Sequence, residues 1–114
     1  MIEVLTKGKQ IVTCVVINEE QDEAYLSGSW HFREGKIAVI HRLCVHPEVQ
    51  GEGNGKRMMQ YAEELIHKQG YASIRLDTFT DNYIARKLYE QLGYSYVGEV
   101  TFRKGLFYLM EKEL

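Results

Sequence analysis

The sequence predicts an α/β fold, one mixed β-sheet with two helices packed on it. Three observations point there. Runs rich in β-branched residues, such as QIVTCVVI and KIAVIHRLCV, read as strands. Two later segments carry apolar residues at three- and four-residue steps and read as helices. Their order is three strands, helix, strand, helix, two strands, which makes Lys36–Val45 and Ser73–Phe79 parallel neighbours joined by a right-handed crossover helix.

Each element has a local reason. Ile2 to Leu5 is a short apolar run closed by Lys7-Gly8-Lys9, and Gln10 to Ile17 follows it as the second arm of a hairpin. Asn18 to Glu23 is a solvated acidic connection, Ala24 to Arg33 receives no regular element, and Glu34-Gly35 marks a turn. Lys36 to Val45 is apolar on both faces, which suits a central strand covered on two sides, and Pro47 ends it. From Gly55 to Gln69, Met58, Met59, Ala62, Leu65 and Ile66 make one helical stripe, with Gly70 as the stop. Ser73 to Phe79 alternates as a strand, and Thr80-Asp81-Asn82 offers N-cap residues for a second helix whose stripe is Ala85, Leu88, Tyr89 and Leu92. Gly93 closes that helix, and Tyr94 to Val100 with Leu106 to Glu111 form a terminal hairpin. Tyr94, Tyr96 and Tyr108 are expected in the strand core, and Tyr25 and Trp30 as buried packing before the central strand.

At 114 residues the chain has room for one core, and one domain is expected. Fourteen basic and 16 acidic side chains are scattered without a block of like charge, which argues against a nucleic-acid arm. No apolar run reaches the roughly 20 residues of a membrane span, and the first residues lack a signal-peptide layout, so a cytoplasmic protein is expected. Cys14 and Cys44 lie in apolar runs and read as reduced core thiols. His31, His46 and His67 show no metal-ligand spacing, and no metal is expected.

The stretch VQGEGNGKRMM places Gly51, Gly53 and Gly55 directly before the first helix. A helix start offers unpaired N–H groups and partial positive charge, so glycines there let a phosphate approach. A Walker A loop is excluded, because Gln50 stands where its first glycine belongs and Arg57 where it needs Ser or Thr. A dinucleotide fingerprint is excluded by the two-and-two glycine spacing. On the glycines alone, phosphate loop and bare connection are level. The flanks add more. HRLCVHPEVQGEGNGKRMM resembles the acyl-CoA signature of the GNAT superfamily of N-acetyltransferases, an L-x-V-x-P strand end followed by Arg/Gln-x-x-Gly-x-Gly/Ala. Those positions are Leu43, Val45, Pro47, Gln50, Gly53 and Gly55, and Asn82, Ala85, Leu88, Tyr89 and Gly93-Tyr94 resemble the family's second block, in register.

The resemblance implies a GNAT-like acyl-CoA N-acyltransferase fold with a splayed central strand pair, and acetyl-CoA as co-substrate with an amine acceptor as partner. It implies transfer of an acetyl group to a primary amine of a small molecule or protein by direct attack, or alternatively an impaired acyl-CoA-binding module. Backbone N–H groups of Gly51, Glu52, Gly53, Asn54, Gly55 and Lys56 would hold the pyrophosphate. The strand edge at Leu43, Cys44 and Val45 would pair with the pantetheine amides, Gln50 would brace the loop, Asn82 would bond the pantetheine arm and Ala85 would leave it room. Tyr89 matches the family's general acid, and His41 is the candidate base in the strand where the family places one. A base is needed because an alkylamine with pKa near ~10.4 is protonated at neutral pH. On a regular strand His41 shares a face with Leu43 and Val45, an assignment that a bulge would reverse. Asn54 stands where the family usually carries an aliphatic residue. Family members also carry a strand and two helices ahead of the segment matching Ile2, so an N-terminally shortened member is expected, with Ile2–Leu5 as an edge strand able to pair with a second copy.

Overall fold

The computed structural model describes residues 2–51 and 53–114. Strands β1 (Ile2–Lys7), β2 (Gln10–Asn18) and β3 (Lys36–Val45) come first, with a short 3-10 turn over Glu23–Ser27 before β3 and another over Pro47–Val49 after it. Helix α1 (Asn54–Lys68), β4 (Tyr71–Phe79), α2 (Tyr83–Gln91), β5 (Ser95–Phe102) and β6 (Gly105–Glu113) follow. All six strands join one mixed sheet in the order β1-β2-β3-β4-β6-β5. Only β3 and β4 run parallel, as the crossover through α1 requires. Among the described residues no helix is long and apolar enough to cross a membrane.

Both helices cover one face of the sheet. Met58, Met59, Ala62 and Ile66 of α1 and Tyr89 of α2 are buried there against Val15, Ile17, Ala38, Ile40, Ile74 and Leu76. The opposite face carries a second cluster of Tyr25, Trp30, Val39, Val97, Val100 and Leu109. The segment left without an element in the sequence reading thus has a structural task. Tyr25 and Trp30, from the 3-10 turn and the loop beyond it, roof the β4, β5 and β6 half of the open face, and the Trp30 indole N–H donates to the Tyr25 carbonyl at 2.7 Å. Two expectations are corrected. Tyr96 is exposed, its hydroxyl bonded to Arg86 and Glu90. Cys44 is exposed and Cys14 half-buried, so neither is a core thiol.

Covering on two sides also holds for only part of β3. Ala38, Val39 and Ile40 are buried, but from His41 onward the strand alternates between half-buried and exposed. The change coincides with Arg42, whose φ of 53° puts it in the left-handed region, alone among the described non-glycine residues. The β2–β3 register shows why: Val16 opposes His41 but Cys14 opposes Cys44, so β3 holds one more residue than β2 across this interval. This is a β-bulge. Leu43 consequently packs toward the helices, and Val45 faces the start of α1. His41 pairs with Val16 and bonds Asn18, on the face opposite Ile40. The shared face expected for His41, Leu43 and Val45 is therefore overturned, because the extra residue at Arg42 shifts the alternation.

A side chain in the left-handed region costs about 1–2 kcal/mol, and a β-branched one costs more. Arg42→Val is expected to lower the unfolding free energy by at least about 1 kcal/mol in urea titration, whereas Arg42→Gly leaves it unchanged or raises it. Equal stability of Arg42→Val and the unaltered protein would contradict a bulge at this position.

Candidate active site

The site begins where a ladder stops. β3 and β4 pair from Lys36↔Tyr71 only as far as Val39↔Arg75. Past that point β4 remains paired with β6 down to Phe79↔Phe107, and β3 remains paired with β2 through Thr13↔Val45. The parallel strands separate, and the β3 edge from Ile40 to Val45 faces a cleft instead of a neighbour. Leu43, Cys44 and Val45 lie on that edge, as the sequence reading expects.

The glycine stretch sits at the wide end of this cleft. Gly51 and Gly53 have φ of 83° and 79°, which side chains resist, and Gly53 is the N-cap of α1. The N-cap Gly53 has no side chain to cap the helix, and the Arg57 N–H bonds the Gly53 carbonyl as the first turn closes, its N–H groups pointing along the axis toward the loop. Gly55 lies where a Cβ would come within 3.4 Å of Leu88 and 3.5 Å of Val45, so the helix start packs closely against both α2 and β3. Gln50 donates from its side-chain amide to the Val45 carbonyl at 3.4 Å, joining loop to strand end. Asn54 is buried and its side-chain oxygen accepts from the Arg57 guanidinium, so the polar residue at this position is held by the second residue of the Lys56-Arg57 pair. Lys56 is exposed. Glu52 lies outside the described residues.

Asn82, Ala85 and Tyr89 come from α2. Asn82 is the N-cap: its side-chain oxygen accepts from the Ala85 N–H at 3.1 Å, which leaves its amide nitrogen available to the cleft. Ala85 is half-buried against the helix-side core. Tyr89 is 6% exposed and sits edge-on to Tyr94 with ring centroids 5.7 Å apart. Burial pushes its phenol up to about 12, with the charges of Asp77 and then Cys44 contributing in the same direction. Tyr89 shares the helix-side core with Ile40 and Leu43 of β3 and Leu76 of β4, beyond the last pair of the parallel ladder.

Asp77 was missed by sequence reasoning. It lies two residues beyond the last paired position of β4, as His41 lies two beyond that of β3, and both occupy the face opposite the helices. The Tyr25 hydroxyl donates to the Asp77 carboxylate at 2.6 Å, and burial with that carboxylate raises the Tyr25 phenol far above its ordinary range. The available signal was a charged residue inside the strand SIRLDTF, at a position that alternation assigns to the face away from Ile74 and Leu76. His41 stands across the cleft mouth with its Nε2 2.8 Å from the Asn18 side-chain oxygen. That oxygen also accepts from the Glu20 N–H at 2.9 Å, so the imidazole donates from Nε2 and keeps Nδ1 as an acceptor.

The site thus joins a glycine-led helix start, an unpaired parallel-strand edge and a buried phenol, flanked at the mouth by an imidazole and a carboxylate. Comparison with known proteins places this arrangement. The chain matches the model of the acetyltransferase (GNAT) family over residues 3–94. It is 35% identical over 75 residues to the uncharacterized N-acetyltransferase YesJ of Bacillus subtilis strain 168, a match spanning 66% of this chain and 40% of that protein. The chain therefore spans less than half the length of that relative. A GNAT-family acetyltransferase of Streptococcus agalactiae 2603 superposes with a TM-score of 0.80 at 22% identity, covering 97% of this chain and 64% of the other. A NatC complex structure, bound to Gag peptide and CoA, superposes with a TM-score of 0.82 at 17% identity over 99% of this chain and 70% of that one. At those identities the two structures speak for the fold alone, and it is the family model, matched through most of the length, that identifies this chain as a member of the GNAT acetyltransferase family.

Proposed function

We propose that this chain carries an N-acetyltransferase site that moves an acetyl group from acetyl-CoA to a primary amine by direct attack. The observation that carries the reading is the alignment of the glycine-led α1 start with the unpaired β3 edge, along one cleft beside which Tyr89 is buried. A pyrophosphate fits the first feature, because Gly53 places a partly positive helix start without a side chain in the way. An extended chain bearing amides fits the second, because the edge from Ile40 to Val45 offers strand hydrogen-bonding groups. The NatC complex, a neighbour by fold, is bound to CoA.

Acetyl-CoA, when bound, supplies a thioester whose carbonyl carbon accepts the amine nitrogen. The loop from Gly51 to Lys56 holds the pyrophosphate, Gln50 keeps that loop on the strand end, and Leu43 to Val45 align the pantetheine arm with help from the Asn82 amide. Asp77 draws a protonated amine to the mouth of the cleft, and the Nδ1 of His41 takes the proton that frees the nitrogen lone pair. As the C–S bond breaks, Tyr89 donates its phenolic proton to the leaving sulfur. A phenol near 12 is a weak acid toward a solvated thiolate, yet the same burial raises the basicity of a thiolate in the cleft and narrows the gap. The raised value also keeps the acid protonated throughout the working range.

Tyr89→Phe is expected to lower kcat about 10²-fold or more while the KM for acetyl-CoA moves less than about threefold, measured by release of CoA thiol against a panel of amines. Full activity of Tyr89→Phe would remove the acid role. If no amine supports turnover while acetyl-CoA still raises the melting temperature, the binding-module reading replaces catalysis. In the pH profile Tyr89 loses its proton only as pH approaches about 12, so kcat/KM should show no alkaline fall due to this residue below pH ~10. A fall near pH ~8 that disappears in Tyr89→Phe would contradict the assignment.

A further inference from the structure

The thiols of Cys14 and Cys44 take no part in acetyl transfer, and the sheet places them face to face. They are direct partners in the antiparallel β2–β3 ladder, one step beyond the Arg42 bulge. Val15 on β2 and Leu43 and Val45 on β3 point to the helix side, so both thiols project from the open face of the sheet. Opposed residues of an antiparallel pair have Cα atoms about 4.5–5.5 Å apart, inside the roughly 4.4–6.8 Å that a disulfide bridges. The ladder makes each the directly opposed cross-strand neighbour of the other. Their accessibilities differ: Cys44 is exposed and Cys14 half-buried, and burial followed by the Cys44 charge pushes the Cys14 thiol up. One thiol is therefore built to react with solvent species and the other to wait beside it.

We propose that Cys14 and Cys44 form a redox-active dithiol that closes to a cross-strand disulfide by exchange with a low-molecular-weight disulfide. The Cys44 thiolate attacks one sulfur of the small disulfide; that S–S bond breaks, one small thiolate leaves and takes a proton, and a mixed disulfide stands on Cys44. Cys14 then gives up its proton, its sulfur attacks the Cys44 sulfur, and the second small thiol departs. Two protein thiols are oxidised and one small disulfide is reduced to two thiols. The inference stands apart from the acetyl-transfer reading, since it requires only the β2–β3 register. Its location gives it reach, because the bond would tie β2 to the stretch of β3 whose other edge lines the cleft.

The reduced protein is incubated with glutathione disulfide and followed by intact mass and free-thiol titration. The unaltered chain should lose two hydrogens and both titratable thiols, remain a single chain and retain no glutathione; dithiothreitol should reverse the change. Cys14→Ser should stop with one glutathione on residue 44, since nothing remains to resolve it. Cys44→Ser should react at least about tenfold more slowly, because its remaining thiol is half-buried with a raised pKa. Retention of glutathione on the unaltered chain, a disulfide between two chains, or two thiols that stay reduced would each overturn the proposal. A melting temperature for the oxidised form no lower than that of the reduced form would show that the bond closes within the native register.

Discussion

The structure depends on the point at which two parallel strands stop bonding each other. β3 and β4 share a ladder only up to Val39 and Arg75, because each then follows another partner: β4 stays in register with β6 to Phe79, and β3 stays with β2 through the bulge at Arg42. Backbone groups freed in the middle of a sheet have no strand to satisfy them, and such groups seek another source of hydrogen bonds. The helices make the separation tolerable. Met58 and Met59 of α1 and Tyr89 of α2 are buried on the helix side, so the gap opens mainly toward the other face. Burying three such side chains favours the fold by several kcal/mol at about 1.5–3 kcal/mol each, enough to offset a few unpaired backbone groups at the edge.

The open face is covered unevenly, and polar side chains decide where. Glu111 on β6 is 1% exposed, and its carboxylate accepts from the N–H groups of His31 and Phe32. Arg75 on β4 stacks over Trp30 at 4.2 Å and donates to the Phe32 carbonyl, and Asp77 receives the Tyr25 hydroxyl. Burial of a charge without partners would be costly, so these contacts pair Glu111, Asp77 and a terminal nitrogen of Arg75, though not its buried Nε, and fix the segment from Tyr25 to Arg33 over them. The cover ends at the cleft. Beyond it Ile2, Val4, Cys14, Val16, His41 and Cys44 lie on the uncovered half, where Asp77 and His41 mark the mouth and the two thiols remain accessible.

Much of this was legible in the sequence. Periodicity and turn residues located every strand and both helices to within about two residues, because each element carries its own cap or stop: Pro47 after β3, Gly70 after α1, Asn82 before α2. The Leu43, Val45, Gln50 and Tyr89 positions were reached through the resemblance to the family's two motifs, since the glycines alone left the loop's role level. Three features were not. The bulge at Arg42 leaves no pattern in KIAVIHRLCV, because an arginine gives no sign of the left-handed region, and the faces of His41 and Cys44 were misjudged with it. The roofing role of Tyr25 and Trp30 depends on partners about 50 or more residues distant, such as Asp77 for Tyr25. Asp77 itself becomes notable only when β4 is seen to part from β3 beside it.

An acyl-CoA bound along the α1 start and the unpaired β3 edge would touch the backbone amides of both. Amide chemical-shift mapping with CoA tests it most directly, since it reads the backbone groups themselves. Saturable shifts are expected, concentrated at Gly51, Gly53 to Lys56, the β3 amides from His41 to Val45 and the α2 start at Asn82 to Ala85. Absence of saturable shifts, or shifts confined to residues away from the cleft such as α1's far end at His67 and Lys68, would contradict it.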